Sequence, residues 1–340
     1  MSQRVLRRCA EIAEVDAARF AGEVLPLYRP TVLRGLVRHW PAVRAARASD
    51  TALASYLRGF DRGGAVEAMV GSPAIQGRFF YSNSRSGMNF ERLPATFSQA
   101  LAKILEVAAS PAPPCIYIGA TPIPQVLPGF EGENVLPLLD ADVTPRLWVG
   151  NATRVQTHYD MSDNIACVVG GRRTFTLFPP DQVANLYVGP LDFTPAGRPI
   201  SMVSLDAPDL TTYPRFAQAL DNAQVAELEP GDAIYIPTMW WHHVQSFGAL
   251  NMLVNYWWGQ ADARAGSPFD AFLHALKNVR HLPPPQRDAW RSLFEHYVFE
   301  TNGDPIAHLP VGAHGVLGEM DDRMTSEVRA VLLRGLGARI

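Results

Sequence analysis

The sequence has only three cysteines, Cys9, Cys115 and Cys167, far apart and without a CxxC pair. That excludes a disulfide framework and a cysteine-built zinc site. Cys167 sits in the apolar run IACVV and reads as a small buried hydrophobe. Charge of one sign is also lacking. Thirty Lys and Arg against 33 Asp and Glu leave a net charge of −3, so bulk charge points to neither a nucleic-acid nor a membrane partner. No apolar run reaches the roughly 18 residues of a membrane span. The first twenty residues carry no apolar core of a signal peptide, so a cytoplasmic protein is expected. Internal repeats and low-complexity segments are missing too. What remains is a chain of 340 residues, 47% hydrophobic and 19% charged, enough for one large domain with or without an accessory piece.

The texture divides in three. Residues 1–112 read as helices and short strands packing on a core: a helix over 10–28, a strand after Pro30, a helix over 49–59 capped by Ser49 or Asp50, strands with glycine turns over 64–82, and a helix from Leu93 to Ala109. Residues 113–262 alternate short apolar, β-branched runs with Pro/Gly breaks, which predicts an all-β sandwich or barrel. Within them, 181–222 reads as a long polar insertion rich in Pro and Asp, of the kind that often serves function. Residues 263–340 read as three helices, the first two separated by Pro283, Pro284 and Pro285.

Four constellations can carry chemistry. In His158-Tyr159-Asp160 on a strand, residues two apart share a face, so an imidazole and a carboxylate stand side by side; alone, HxD is a weak signal. Downstream, Gly231-Asp232 leads through an apolar strand to Pro237 and then Trp240-Trp241-His242-His243, where indoles beside imidazoles imply a walled pocket. HxD with a distant histidine makes a two-His, one-carboxylate set that leaves three octahedral positions open, which suits Fe(II). Adjacent strand residues face opposite ways, so one of His242 and His243 faces inward; His242 is taken as the ligand. Arg172 and Arg173 open an apolar strand, and one of them can turn a guanidinium into a cavity to clamp a carboxylate. Tyr117, Asn164 and Asn255 are polar groups in apolar strands and need partners there, whether backbone or ligand.

Together these stretches resemble the JmjC-type, cupin-like 2-oxoglutarate oxygenases, in particular the branch of the factor-inhibiting-HIF asparaginyl hydroxylase. The resemblance covers roughly 25–260 and rests on RPTVLRGLVRHWPA, FFYSNSRSGMNF, THYDMSDNIACVVGGRRTFTLFPPDQ and PGDAIYIPTMWWHHVQS followed by NYWW. It implies a double-stranded β-helix, or jelly-roll, core in a mainly β fold with flanking helices. It implies Fe(II) on His158, Asp160 and His242, and 2-oxoglutarate and O2 as co-substrates. Arg173 and Tyr117 would hold the far carboxylate of 2-oxoglutarate, Asn164 and Asn255 would flank the iron and co-substrate, and Trp257 would lie on the substrate side. Trp240 is placed on the substrate side as well, in a groove formed with the 181–222 insertion. Two positions depart from the asparaginyl hydroxylase: its lysine is Arg173 here, and a threonine that contacts 2-oxoglutarate is Val155. The expected reaction is hydroxylation of a protein or peptide side chain. The alternatives are the same chemistry on a small molecule or free amino acid, and a metal-binding cupin without oxidation. The C-terminal helices are expected to form a homodimer.

Overall fold

The structure, a computed structural model, describes residues 6–259 and 266–337. The chain divides into two compact units, Met1–Gly259 and Gln260–Ile340. In the first, twelve strands form one mixed sheet among the described residues. They are β1 (Arg7–Arg8), β2 (Ala10–Ala13), β3 (Thr31–Arg34), β4 (Ala65–Gly71), β5 (Phe90–Thr96), β6 (Cys115–Pro122), β7 (Pro145–Gly150), β8 (Arg154–His158), β9 (Asp163–Phe178), β10 (Gln224–Leu228), β11 (Ala233–Ile236) and β12 (Trp241–Trp258). The fold is mainly β with flanking helices, and its jelly-roll core is organised by the two longest strands.

Strands β9 and β12 run antiparallel along their whole length and bend in the middle. The first half of β9 pairs with β11 and its second half with β10. The first half of β12 pairs with β8 and its second half with β7. One pair of strands thereby serves both layers. The bends change the side-chain parity, because an irregularity that adds a residue turns every later side chain to the other face. Before the Gly170-Gly171 bend, Ala166 and Val168 face the interior cluster; after it, Phe175 and Leu177 do. Their odd-numbered neighbours Ile165, Cys167 and Val169 pack outward against the helices. In β12 the interior set passes from Val244 to Leu253 across the register shifts between Phe247 and Leu253. Gly171 makes the β9 bend possible: its φ is 70°, and a Cβ there would sit 2.0 Å from Asn251 Oδ1.

Several sequence expectations are corrected. The runs on either side of Gly170-Gly171 and of Gly248 are not separate strands but halves of β9 and β12. Residues 10–28 are not one helix: Ala10–Ala13 is a strand pairing in parallel with β3, and only Ala17–Leu27 coils, in short helical turns. A sheet edge overrode the local helical spacing. Leu93 lies in β5, and the helix begins at Phe97, where Thr96 and Gln99 form a capping box. The helix Asp50–Arg58 follows its Ser49 cap as read, and Cys167 is fully buried.

The second unit holds the helices Pro268–Asn278, Pro284–Tyr297 and Asp322–Gly335, none of which buries a residue. No helix among the described residues is long and apolar enough to cross a membrane.

Candidate metal centre

The register of β8 against β12 sets His158 directly opposite His242. Their rings lie 4.2 Å apart between centroids. Asp160, two residues beyond His158, brings Oδ2 to 3.7 Å from His242 Nε2. One ligand atom from each of the three residues falls within 4.8 Å of the others. The two imidazoles are held in the same way: His158 Nδ1 lies 2.8 Å from the carbonyl of Gln156, and His242 Nδ1 3.0 Å from that of Trp240. A carbonyl only accepts, so Nδ1 carries the proton on both rings, and each Nε2 lone pair is left for a metal. Burial pushes the His242 pKa down to about 4, with the nearby His158 adding to the shift and Asp160 opposing it. The ring is therefore neutral, as a ligand must be. The turn before His242 is fastened from below. Met239, in a left-handed conformation (φ 63°), donates its N–H to the Asp160 carbonyl at 2.8 Å, and Thr238 N–H donates to Asp163 Oδ1 at 3.1 Å.

His243 is as buried as His242 but projects from the other side of the strand, towards Asp206, Arg154 and Arg78. Arg173 is the inward arginine, 2% exposed, and Arg172 is exposed.

The triad opens on a small cavity of about 40 Å³ that is open on one side. Tyr117, Asn164, Arg173, Asn255 and Trp257 line it along with the triad, and Val155, Phe175, Ile236, Val244 and Leu253 give it apolar walls. Among the described residues Arg173 has no carboxylate partner, and its Nε and Nη2 have no hydrogen-bond partner. Burial lowers its pKa, and Tyr117 is the neighbour that favours the charged form. Burial likewise pushes the Tyr117 phenol up to about 12, so it remains a donor. Asn164 Nδ2 reaches Asp160 Oδ2 at 3.4 Å, while its Oδ1 is without a partner, as is Trp257 Nε1. Trp240 is 6% exposed and sits in the cluster with Ile236, Val244 and Val32, behind the wall rather than lining the cavity. Trp241 packs on Tyr159 beneath the 181–222 segment, centroids 4.8 Å apart.

Sequence reading missed Trp148. It lines the cavity, donates Nε1–H to Asn255 Oδ1 at 2.9 Å, and stacks on Tyr117 at 5.8 Å. Gly119 leaves room for this indole, since a Cβ there would meet its ring at 2.5 Å. The only signal was a tryptophan in an otherwise aliphatic strand, RLWVGN.

The Cupin-like domain model matches residues 17–264. The chain belongs to the cupin-like domain family. Among its relatives, the Lysine-specific demethylase JMJ31 of Arabidopsis thaliana is 34% identical over 153 residues, 44% of this chain and 27% of that protein. The tRNA wybutosine-synthesizing protein 5 of Gallus gallus is 34% identical over 146 residues, 39% of this chain and 43% of that protein. The Bifunctional peptidase and (3S)-lysyl hydroxylase JMJD7 of Homo sapiens is 27% identical over 268 residues, 68% of this chain and 77% of that protein. The cupin-like chain thus spans less than half the length of the first two.

Proposed function

We propose that this cupin-like chain is an Fe(II)- and 2-oxoglutarate-dependent oxygenase that hydroxylates a side chain of a protein or peptide. The observation that carries the reading is Arg173. A fully buried guanidinium with two unpaired nitrogens is costly, and the cavity beside it needs an anion to complete it. A dicarboxylate fits, because a planar guanidinium grips a carboxylate with two parallel hydrogen bonds. Two imidazoles with Nδ1 tied to backbone carbonyls and one carboxylate beside them suit a divalent iron with open positions.

In this reading His158, Asp160 and His242 hold the metal. Arg173 and Tyr117 bind the far carboxylate of 2-oxoglutarate. Asn164 and Asn255 flank metal and co-substrate, Asn255 being steadied by Trp148. The aliphatic walls from Val155 to Leu253 exclude water, which strengthens each polar contact inside. Trp257 meets the substrate at the open side. When bound, iron with 2-oxoglutarate and O2 supplies the oxidation of an unactivated C–H bond, with succinate and CO2 as co-products. Among the relatives named above, the human lysyl hydroxylase covers the largest share of this chain, which supports a protein side chain as substrate. The narrower likeness to the asparaginyl hydroxylase branch rests on the HYD…N, FPP and PGDxxYIPxxWWHH strings. The helical unit, burying no residue in its three helices, is proposed to pair with a second copy.

The test is anaerobic addition of Fe(II) and 2-oxoglutarate to the purified chain, followed by air. A metal-to-ligand charge-transfer band and then succinate are expected, and both should vanish in Asp160→Ala. Metal binding with neither band nor succinate would leave a non-oxidising cupin and end the oxygenase reading.

A further inference from the structure

Strand β8 carries one residue too many. It pairs with β12 at His158↔His242 and again at Val155↔Val244, so Gln156 and Thr157 together oppose the single residue His243. That is a β-bulge beside the metal ligands, and bulges in such places re-aim a side chain. The backbone of the bulge is part of the site, since the Gln156 carbonyl accepts from His158 Nδ1 at 2.8 Å. The Gln156 side chain, 3% exposed, is fully engaged. Its amide donates to the carbonyls of Ser201 at 3.0 Å and Val203 at 2.5 Å, and its oxygen accepts from Arg78 Nε at 3.3 Å. Ser201 N–H in turn donates to the Thr157 carbonyl at 2.8 Å, and Ser201 Oγ to the Leu186 carbonyl at 2.6 Å. Three segments meet at this one carboxamide: the bulge next to His158, the 181–222 insertion, and Arg78 from the segment between β4 and β5.

We propose that Gln156 is a positioning residue through which the 181–222 insertion and Arg78 set the orientation of His158 for its metal. The inference rests on the metal reading of the triad. The chemistry of the residue explains the choice. The bulge needs two donors for two carbonyls and one acceptor for a guanidinium, all from a single buried neutral group, and glutamine supplies that set. A bulge not clamped in this way is free to swing, and the carbonyl that fixes the His158 tautomer swings with it.

The experiment uses the full chain and Co(II), whose visible absorption reports both occupancy and geometry. Gln156→Met keeps the bulk and removes the three carboxamide bonds, leaving only the backbone bond from Ser201 N–H to the Thr157 carbonyl. It is expected to weaken Co(II) binding by up to about tenfold, below the full loss of a ligating histidine's partner because the Gln156 carbonyl itself remains, and to alter the visible band. Phe216→Leu is the control: it trims the small core that Val203 and Leu186 share but removes no hydrogen bond of the clamp. It should lower the melting temperature but leave the Co(II) affinity unchanged. Should Gln156→Met not fold, Arg78→Met removes the clamp from one side and should still weaken Co(II) several-fold. A folded Gln156→Met with wild-type affinity and spectrum overturns the proposal, and so does equal weakening in Phe216→Leu. Failure of the wild-type chain to bind Co(II) overturns instead the metal reading on which the proposal stands.

Discussion

In Met1–Gly259 every helix of eight residues or more turns a face inward. Leu53, Ala54 and Leu57 of Asp50–Arg58 are buried, as are Phe97, Ala100, Leu101 and Ile104 of Phe97–Val107. In Gln260–Ile340 the helices are as long or longer and carry as many large apolar residues, yet bury none. Trp290 and Leu293 are each 45% exposed, Leu332 48% and Leu336 52%. Helices of eleven to fourteen residues draw most of their stability from packing. The first unit supplies that packing itself, and with it the stiffness to keep polar groups such as Arg173 and His242 out of water. The second unit leaves its large apolar residues exposed, which supports the proposal that a second copy pairs with it.

The largest effect that tests this contrast comes from a pair of tryptophans. Trp40 is fully buried and donates Nε1–H to the Val135 carbonyl at 2.8 Å. Trp40→Ala should cost about 3–5 kcal/mol in urea unfolding of the metal-free chain. Trp290→Ala should change monomer stability by no more than about 0.5 kcal/mol. It should instead weaken self-association, seen as a lower sedimentation coefficient at the same concentration. Equal costs for the two would erase the distinction between the units.

Next in size is Arg173→Met. Here the first unit spends stability on a buried cation with no anion of its own. Replacing it should raise the KM for 2-oxoglutarate about 100-fold, as loss of a charged, two-point contact does. The metal-free fold should become more stable, on the order of 1 kcal/mol, because an uncompensated buried charge is gone. A destabilised Arg173→Met would mean that the guanidinium already has its partner inside the protein.

Much of this site was readable beforehand, and the reason lies in strand periodicity. His158 closes β8 and Asp160 lies just beyond the strand rather than on it, yet the two stay close; the histidine after the aromatic turn opens β12, and the FPP run ends β9. What periodicity could not give is which side chains face in beyond a bend. Counting by twos from Asn164 and Ala166 along β9 makes Arg172 the inward arginine. The Gly170-Gly171 bend reverses the count and turns Arg173 in; only the family register pointed there. The same glycines look like strand ends in the sequence, so two continuous strands read as four. Ala10–Ala13 became a strand because β3 offered an edge, a long-range fact absent from its own residues. Trp148 was hidden because its role depends on Asn255, 107 positions away.

Acid should separate the units further. The His242 and His243 imidazoles have pKa values pushed down by burial to about 4 from an ordinary 6.5. Between those values the unfolded chain binds more protons than the folded one, so stability is full above pH 6.5 and falls as the pH drops towards 4. Metal-free protein should lose on the order of 1 kcal/mol for each imidazole between pH 7 and pH 5.5. Replacing both histidines with asparagine should flatten that loss, and a slope unchanged by the replacement would place the acid sensitivity elsewhere.

The smallest effect concerns Val155, where the resembling enzymes carry a threonine. Val155 lines the cavity with Phe175, Val244 and Leu253, so its surroundings are apolar and ask for no hydroxyl. Val155→Thr keeps the shape but places a partly buried hydroxyl among apolar neighbours, costing up to about 1 kcal/mol of stability in the metal-free chain. When 2-oxoglutarate binds, that hydroxyl gains a carboxylate to donate to. The KM should then fall about threefold, within the range of one hydrogen bond. Loss of stability without a change in KM would mean that the co-substrate lies beyond reach of position 155, and that Arg173 and Tyr117 hold its carboxylate unaided. In that case the valine is not a weakness of the site. It belongs to the same aliphatic wall that keeps water from the guanidinium, and the arginine's two-point grip replaces what the threonine supplies beside a lysine.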